Sequence, residues 1–333
     1  MVDRGVDGKR KDQASILVSA LGAGPACYAE NLRSHPHFKP YLALASVCFF
    51  WGTTYLAIRV ALESFPPLTL VSTRFTLSGL LMLAGSHLLR ARLPRGRELR
   101  FTALNGVLIL GLGNACLTFS ELWIASGLAA LIVTTSPFWM VGLDALLPGG
   151  ERLTFPVLLG IVTGVLGAVL LVAPGALGGA VASQRLLWGF LILQLGCFSW
   201  SLGSIRHRRL SAETHPIVSG AVQQLAAGLA FFLPAFFVPH HPVHWNLRGL
   251  AALVYLVVFG SIIGYSSYMY ALEKLPVALV SIYTYINPIV AVALGWLFYR
   301  EPFGRREAAA MAIIFAGVAI VKRYTRPAAP ELD

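Results

Sequence analysis

Charge is scarce in this chain, and acidic charge scarcer still. Asp and Glu number 15 against 26 Lys and Arg, and the four charged types together make up 12% of 333 residues. No Asp or Glu falls near the middle of a long apolar stretch, since Asp144 and Glu273 both sit at stretch ends. A buried carboxylate proton relay, or a pair of buried catalytic acids, therefore has no residues to build on. HExxH, GxGD and a Walker phosphate loop are missing too, so the usual signatures of a membrane-embedded enzyme are lacking. The four cysteines, Cys27, Cys48, Cys116 and Cys197, are scattered without a CxxC pair, which implies neither a disulfide framework nor a metal cage. Histidine clusters once, as "PHHPVH" at His240, His241 and His244. With Pro239 and Pro242 breaking it up, the cluster reads as a polar turn rather than a metal site. No enzymatic activity, cofactor or metal is expected.

Apolar residues are what the chain has in excess: 56% are hydrophobic and the mean hydropathy is +0.70. That composition belongs to an all-α integral membrane protein. A helix needs about 20 mostly apolar residues to cross a hydrocarbon core of roughly 30 Å. Ten such runs are present: Tyr41–Leu62, Leu68–Leu89, Phe101–Leu122, Gly127–Leu147, Thr154–Ala173, Leu186–Ile205, Ile217–Val238, Leu250–Leu272, Val277–Tyr299 and Arg306–Val321.

In a soluble protein the net charge of +11 would suggest a nucleic-acid partner, but here it sorts by loop. With the N-terminus cytoplasmic, 19 of the 26 basic residues fall on the inner side and five on the outer, while Arg59 and Arg74 lie within helices. By the positive-inside rule both termini are cytoplasmic, and the protein is expected in the cytoplasmic membrane. The excess is a topology signal, so the lipid bilayer is the expected partner and nucleic acid is not. The outer loop "YREPFGRR" goes against this trend. Residues 1–40 contain a leader-like stretch, yet cleavage after Ala29 would invert every loop. They read as a cytoplasmic tail, as do residues 323–333.

The chain also repeats itself. "LAALIVTTSP" (Leu128–Pro137) returns as "LVSIYTYINP" (Leu279–Pro288) at an offset of 151. Glu151 and Gly167 return as Glu301 and Gly317 at 150, and Trp51 and Arg59 as Trp200 and Arg208 at 149. The unit is five helices, an odd number, so the second copy enters the bilayer from the opposite side. Two inverted five-helix repeats result, an arrangement common among secondary transporters. The repeats span 41–173 and 186–322, joined by the Gly- and Ala-rich linker 174–185, "PGALGGAVASQR".

These residues resemble the EamA family of the drug/metabolite transporter superfamily. The resemblance lies in "FFWGTTYLAIRVALESFPP" on the first run, "STRFTLSG" on the second and "TSPFWMVGLDALLPGGERLT" across the fourth and fifth. "YTYINPIVAVALGWLFYREP" renews it in the second half, and it covers Tyr41 to Lys322. It implies a ten-helix permease of two inverted repeats that exports amino acids or other small metabolites. Two departures stand out: "CFSWSLGSIRHRRL" lacks the Gly after its Trp, and position 300 is Arg where the family tends to carry Gly.

Pro137 and Pro288 each lie about 15 Å into their runs at 1.5 Å per residue, near the bilayer midplane. A proline there removes a helical hydrogen bond, and matching breaks in two halves point to a substrate site. The polar residues ahead of them join the site: Thr134, Thr135 and Ser136 in one half, and Ser281, Tyr283, Thr284, Tyr285 and Asn287 in the other. Alternatively, the hydroxyls bond back to their own helices at simple kinks. Trp51, Thr54 and Tyr55 are expected opposite, with Asn114, Gln194, Trp200, Ser261, Tyr265 and Tyr268 completing walls that suit an amphipathic organic solute. Tyr41, Trp245 and Tyr299 read instead as interface anchors.

Arg59, Glu63, Arg74 and Glu121 are expected to form an ion-pair network closing the outer mouth, with a substrate-carboxylate clamp as the weaker alternative. Small residues in "GIVTGVLGA" and "AAAMAIIFAG" permit close helix contact, within one chain more readily than in a homo-oligomer. Competing functions are a carrier of nucleotide sugars, a carrier of cationic drugs and a non-transporting receptor. The first calls for Lys or Arg facing the cavity at mid-depth, the second for a deep acid, and neither is expected here.

Overall fold

A backbone that crosses lipid must satisfy its own N–H and C=O groups, so runs of this composition resolve into helices. The computed structural model describes residues 38–88, 91–148, 153–176, 181–209, 215–238, 242–275 and 277–325, and no strand occurs among them. The helices are α1 (Phe38–Ala61), α2 (Pro67–Leu88), α3 (Gly96–Ser120), α4 (Ser126–Leu146) and α5 (Phe155–Ala176). They continue as α6 (Val181–Arg209), α7 (Pro216–Phe237), α8 (Leu247–Leu272), α9 in two pieces (Val277–Val280 and Tyr283–Tyr299) and α10 (Arg305–Tyr324). Eight of them are long and apolar enough to cross a membrane, and Tyr283–Tyr299 is a shorter apolar helix. This is a multi-pass membrane protein.

The expected limits shift at the linker. Wherever described, 174–185 is helical, because α5 runs on to Ala176 and α6 begins at Val181. Ala, Ser and Gln carry little helix penalty, and extending an existing helix avoids the cost of nucleating one. Likewise α1 starts at Phe38 and α10 ends at Tyr324, a few residues beyond the expected ends. Most of both tails lies outside the described residues.

Helices in corresponding places of the two halves pack on each other. The second packs against the seventh, where Ser72 Oγ donates to Gly228 O at 3.0 Å and Gln224 meets Ser78. The fifth packs against the tenth at backbone distance: a Cβ on Gly317 would stand 2.5 Å from Gly164 N and 2.6 Å from Gly160 O, so only glycine fits. The small residues noted in the sequence are thus used within one chain.

Four helices around the centre are irregular. α4 breaks at Thr134 and Thr135 and restarts at Ser136, with Pro137 in the first turn of the new segment, where its missing N–H costs nothing. α9 breaks at Ser281 and Ile282, ahead of Pro288, which sits inside the continuous piece Tyr283–Tyr299. Neither proline lies in the break itself; each comes after it. α3 and α8 instead widen into π-helical turns, at Val107–Leu112 and Leu256–Ile263. These start 149 positions apart, the offset that also relates Trp51 to Trp200.

Candidate functional site

A cavity with about 150 Å³ of space for water-sized molecules lies where the irregular segments meet. Trp51 anchors one wall. Its indole N–H donates to Gly260 O at 3.1 Å, a carbonyl in the π-helical stretch of α8. Trp200 meets it edge to face, and Tyr268 and Tyr283 pack on it with ring centroids 5.0 and 5.3 Å away. Tyr265 lines the cavity with its ring while its hydroxyl donates to Gln223 Oε1 at 3.0 Å.

Of the residues singled out in the sequence, Trp51, Tyr55, Asn114, Ser136, Tyr265, Tyr283, Asn287 and Pro288 line this cavity. Thr135, Pro137, Gln194, Tyr268, Ser281 and Tyr285 are not among the residues that line it. Thr135 Oγ1 donates to Ile132 O at 2.8 Å and accepts from Gln194 Nε2 at 3.1 Å, so it faces α6, while its neighbour Thr134 takes the lining position. Successive helical residues point about 100° apart, so one position decides which threonine is exposed to the cavity. Asn287, in the amide orientation that satisfies its neighbours, holds Nδ2 2.9 Å from Cys48 O and 3.1 Å from Tyr283 O, tying α9 to α1.

The hydroxyls on the wall bond back along the chain: Thr134 Oγ1 to Ala130 O at 3.1 Å, Ser136 Oγ to Val133 O at 2.7 Å and Thr284 Oγ1 to Ser281 O at 2.8 Å. Their protons are spent on carbonyls, leaving lone pairs as what they offer a ligand. Lys322 of α10 secures the break in α9 by donating to Ser281 O (2.9 Å), Ser281 Oγ (2.8 Å) and Thr284 Oγ1 (3.2 Å), with its Nζ 4.4 Å from the Tyr285 ring centroid. In the sequence Lys322 counts only as a cytoplasmic positive charge, because nothing local marks which cation reaches a helix break.

The four residues expected to form one outer network divide into three groups. Arg59 Nη1 donates to the backbone carbonyls of Glu121 and Ile124, not to a carboxylate. The Glu121 carboxyl is fully buried, and neither oxygen has a hydrogen-bond partner among the described residues. Burial raises its pKa well above the ordinary range; Arg59 partly offsets this and Glu301 adds to it. Glu63 pairs with Arg248, Oε2 to Nη1 at 3.4 Å, and accepts from the Tyr299 hydroxyl, to which Arg248 also donates at 3.0 Å. That contact takes Tyr299 beyond the interface-anchor role expected of it.

Arg74 stands apart from all of these, on the cavity wall. Its nearest polar partners are Ser261 and Asn114, so the sequence-based placement of every cation away from mid-cavity does not hold. At the same end as Glu63 and Glu121, the Glu301 carboxylate accepts from Ser126 N (2.8 Å), Gly127 N (3.0 Å) and Ser126 Oγ (2.9 Å). It caps the positive N-terminus of α4, a role its place in the repeat did not disclose. Of the histidine run, His240 and His241 lie outside the described residues, and the His244 amide donates to Ser64 O at 2.9 Å.

A multi-pass helical protein whose two halves enclose one central cavity has the build of a solute permease. The chain matches the EamA-like transporter family twice, over residues 38–173 and 187–323, and belongs to that family. It is 34% identical over 292 residues to the uncharacterized inner membrane transporter YedA of Escherichia coli K12, covering 86% of this chain and 92% of that one. It is 26% identical to a probable terminal-alkyne amino-acid exporter of Streptantibioticus cattleyicolor, over 86% of this chain and 94% of that one. A probable amino-acid metabolite efflux pump of E. coli K12 is also 26% identical, over 82% and 91% of the two chains. The fold is shared with a crystal structure of a 22% identical chain at a TM-score of 0.61, covering 85% of this chain and 96% of the other.

Proposed function

We propose that this chain is a secondary transporter that exports small organic metabolites, amino acids or close relatives of them, across the cytoplasmic membrane by alternating access. On this reading ten helices cross the bilayer as two inverted five-helix repeats, with both termini cytoplasmic. The observation that carries the reading is the central cavity at the two helix breaks, with Trp51 and its repeat-mate Trp200 both on its wall. Broken helices in matching places of inverted repeats are where such carriers hold their solutes.

The cavity's size favours an amino-acid-sized solute over a nucleotide sugar, and its aromatic walls with hydroxyl lone pairs accommodate an ammonium group. The names borne by two of the relatives agree with that class. The end of the bundle bearing Glu63, Glu121 and Glu301 is the outer one on this topology. Its ties are the Glu63–Arg248–Tyr299 group, Arg59 on two carbonyls, and Glu301 on the start of α4. Exposed pairs such as Glu63 with Arg248 contribute only about 0.2–1 kcal/mol, so the outer mouth is weakly latched and able to open.

The test is counterflow in proteoliposomes loaded with individual amino acids or small amines, with labelled solute outside. Accumulation driven by one solute class, and lost in Asn287→Ala and Trp51→Ala, is the expected result. Folded, correctly inserted protein that shows no counterflow with any member of the panel would sink this reading.

A further inference from the structure

We infer that Arg74 is the anion-binding residue of the central cavity and that the solute carries a carboxylate, seated on the free edge of its guanidinium. This deepens the export reading above and rests on it for the word solute; the binding site itself does not.

Arg74 is 6% exposed, yet it lines the cavity and forms no salt bridge with any described residue. The residues that line the cavity with it include no Asp or Glu, so its charge is unanswered where it lies. A buried cation without a partner is costly, and one kept within a membrane helix normally marks a solute path. The side chain is also held in a fixed pose. Nε donates to Ser261 Oγ at 2.9 Å, and Nη1 reaches Asn114 Oδ1 at 3.4 Å. Asn114 is itself oriented by Nδ2 donating to Leu110 O at 2.9 Å, and the guanidinium carbon sits 4.8 Å from the Phe75 ring centroid.

A guanidinium has five N–H donors, and these two bonds leave three of them, one on Nη1 and two on Nη2, without an acceptor among the described residues. Two parallel donors on one edge match a carboxylate, which accepts from them as a fork. Gly260 keeps that edge clear, since a Cβ there would stand 3.1 Å from Nη2. Leu110, Gly260 and the partner Ser261 come from the π-helical stretches of α3 and α8, and Asn114 lies two residues after the first. Both irregular segments thus serve to aim one cation.

The alternative is a purely structural clamp joining α2 to α3 and α8, which would not distinguish an acid from its amide. Thermal unfolding of the whole chain in detergent, titrated with amino acids, their carboxamides, the matching amines and inorganic phosphate, separates the two. At least one amino acid is expected to raise the melting temperature saturably, with its carboxamide and amine at least 10-fold weaker. Arg74→Gln should lose that affinity by 10-fold or more, and Arg74→Lys, a point charge without the fork, should recover only part of it. Asn114→Asp guards against a variant that fails to fold. It places an internal carboxylate within reach of Arg74, so the ligand-free protein should melt higher while carboxylate affinity falls.

Equal affinity for acid and amide, unchanged affinity in Arg74→Gln or Asn114→Asp, binding of phosphate or amines alone, or no binding across the panel would each overturn the inference. Counterflow of the same solutes keeps the two claims separate. Arg74-dependent carboxylate binding without counterflow supports the anion site while removing the export reading. Counterflow of an amine indifferent to Arg74 does the reverse.

Discussion

Trp51 and Trp200 stand 149 positions apart in the chain and meet edge to face on the cavity wall, their ring centroids 6.3 Å apart and their planes at 90°. Corresponding residues of the two halves thus touch on the wall of the cavity. The Trp51 ring is fixed by a hydrogen bond from its indole N–H to Gly260 O.

Trp51→Phe keeps a ring in the wall and removes that bond. A loss of about 1 kcal/mol is expected, seen as a melting point lower by a few degrees in detergent. Counterflow should fall less than in Trp51→Ala, which opens the wall. An unchanged melting point would mean that the indole N–H has no structural part.

Glu301→Gln tests the cap on α4. Gln retains one acceptor oxygen but no charge, so the bonds from Ser126 and Gly127 weaken and about 1 kcal/mol should be lost. Hydrogen exchange at the first turn of α4 should quicken, while exchange in α2 should not.

Glu121→Gln should stabilise the protein, and more so as pH rises. The folded-state pKa lies above the ordinary value, so above about pH 4.5 the folded form holds a proton that the unfolded form has released, and stability falls with increasing pH. The penalty is up to about 1.4 kcal/mol per pH unit between the two pKa values. The variant lacks that slope, so its melting point should match the parent's near pH 5 and exceed it at pH 8. Parallel melting curves for the two proteins from pH 5 to 8 would contradict this.

Arg300→Gly addresses the residue after α9, which adopts φ 52° and ψ 35°, a left-handed conformation that suits glycine. A side chain there costs about 1–2 kcal/mol, partly offset by the entropy glycine loses on folding. A gain of about 0.5–1 kcal/mol is expected, with counterflow unchanged.

Helix positions were readable in the sequence because lipid leaves the backbone no alternative, so hydropathy alone marks them. The prolines marked the depth of the cavity, and Ser136, Tyr283, Asn287 and Pro288 do line it. Depth is half of a side chain's address, and bearing around the helix is the other half. Thr135 and Arg74 went astray on bearing: one turns to α6, the other into the cavity. The Arg59 and Glu121 pair shows a third limit. Their proximity was readable, but not that a backbone carbonyl takes the bond and leaves the acid alone. The π-helical stretches left no proline to betray them, only glycines at similar spacing.

Those two stretches have a further consequence for how this chain tolerates change in length. Each π-helical turn accommodates an extra residue in the α-helical count, and a residue corresponds to about 100° of rotation. Deleting one residue from Val107–Leu112 would let α3 relax to regular helix with the segments on either side keeping their bearing, so the wall around Leu110 changes while Asn114 stays on it. The same deletion in Leu256–Ile263 would reset Gly260 and Ser261 and leave Tyr265 in place. Such deletions should leave a folded membrane protein with altered ligand binding, whereas a deletion in a regular stretch of either helix would turn everything beyond it by that angle.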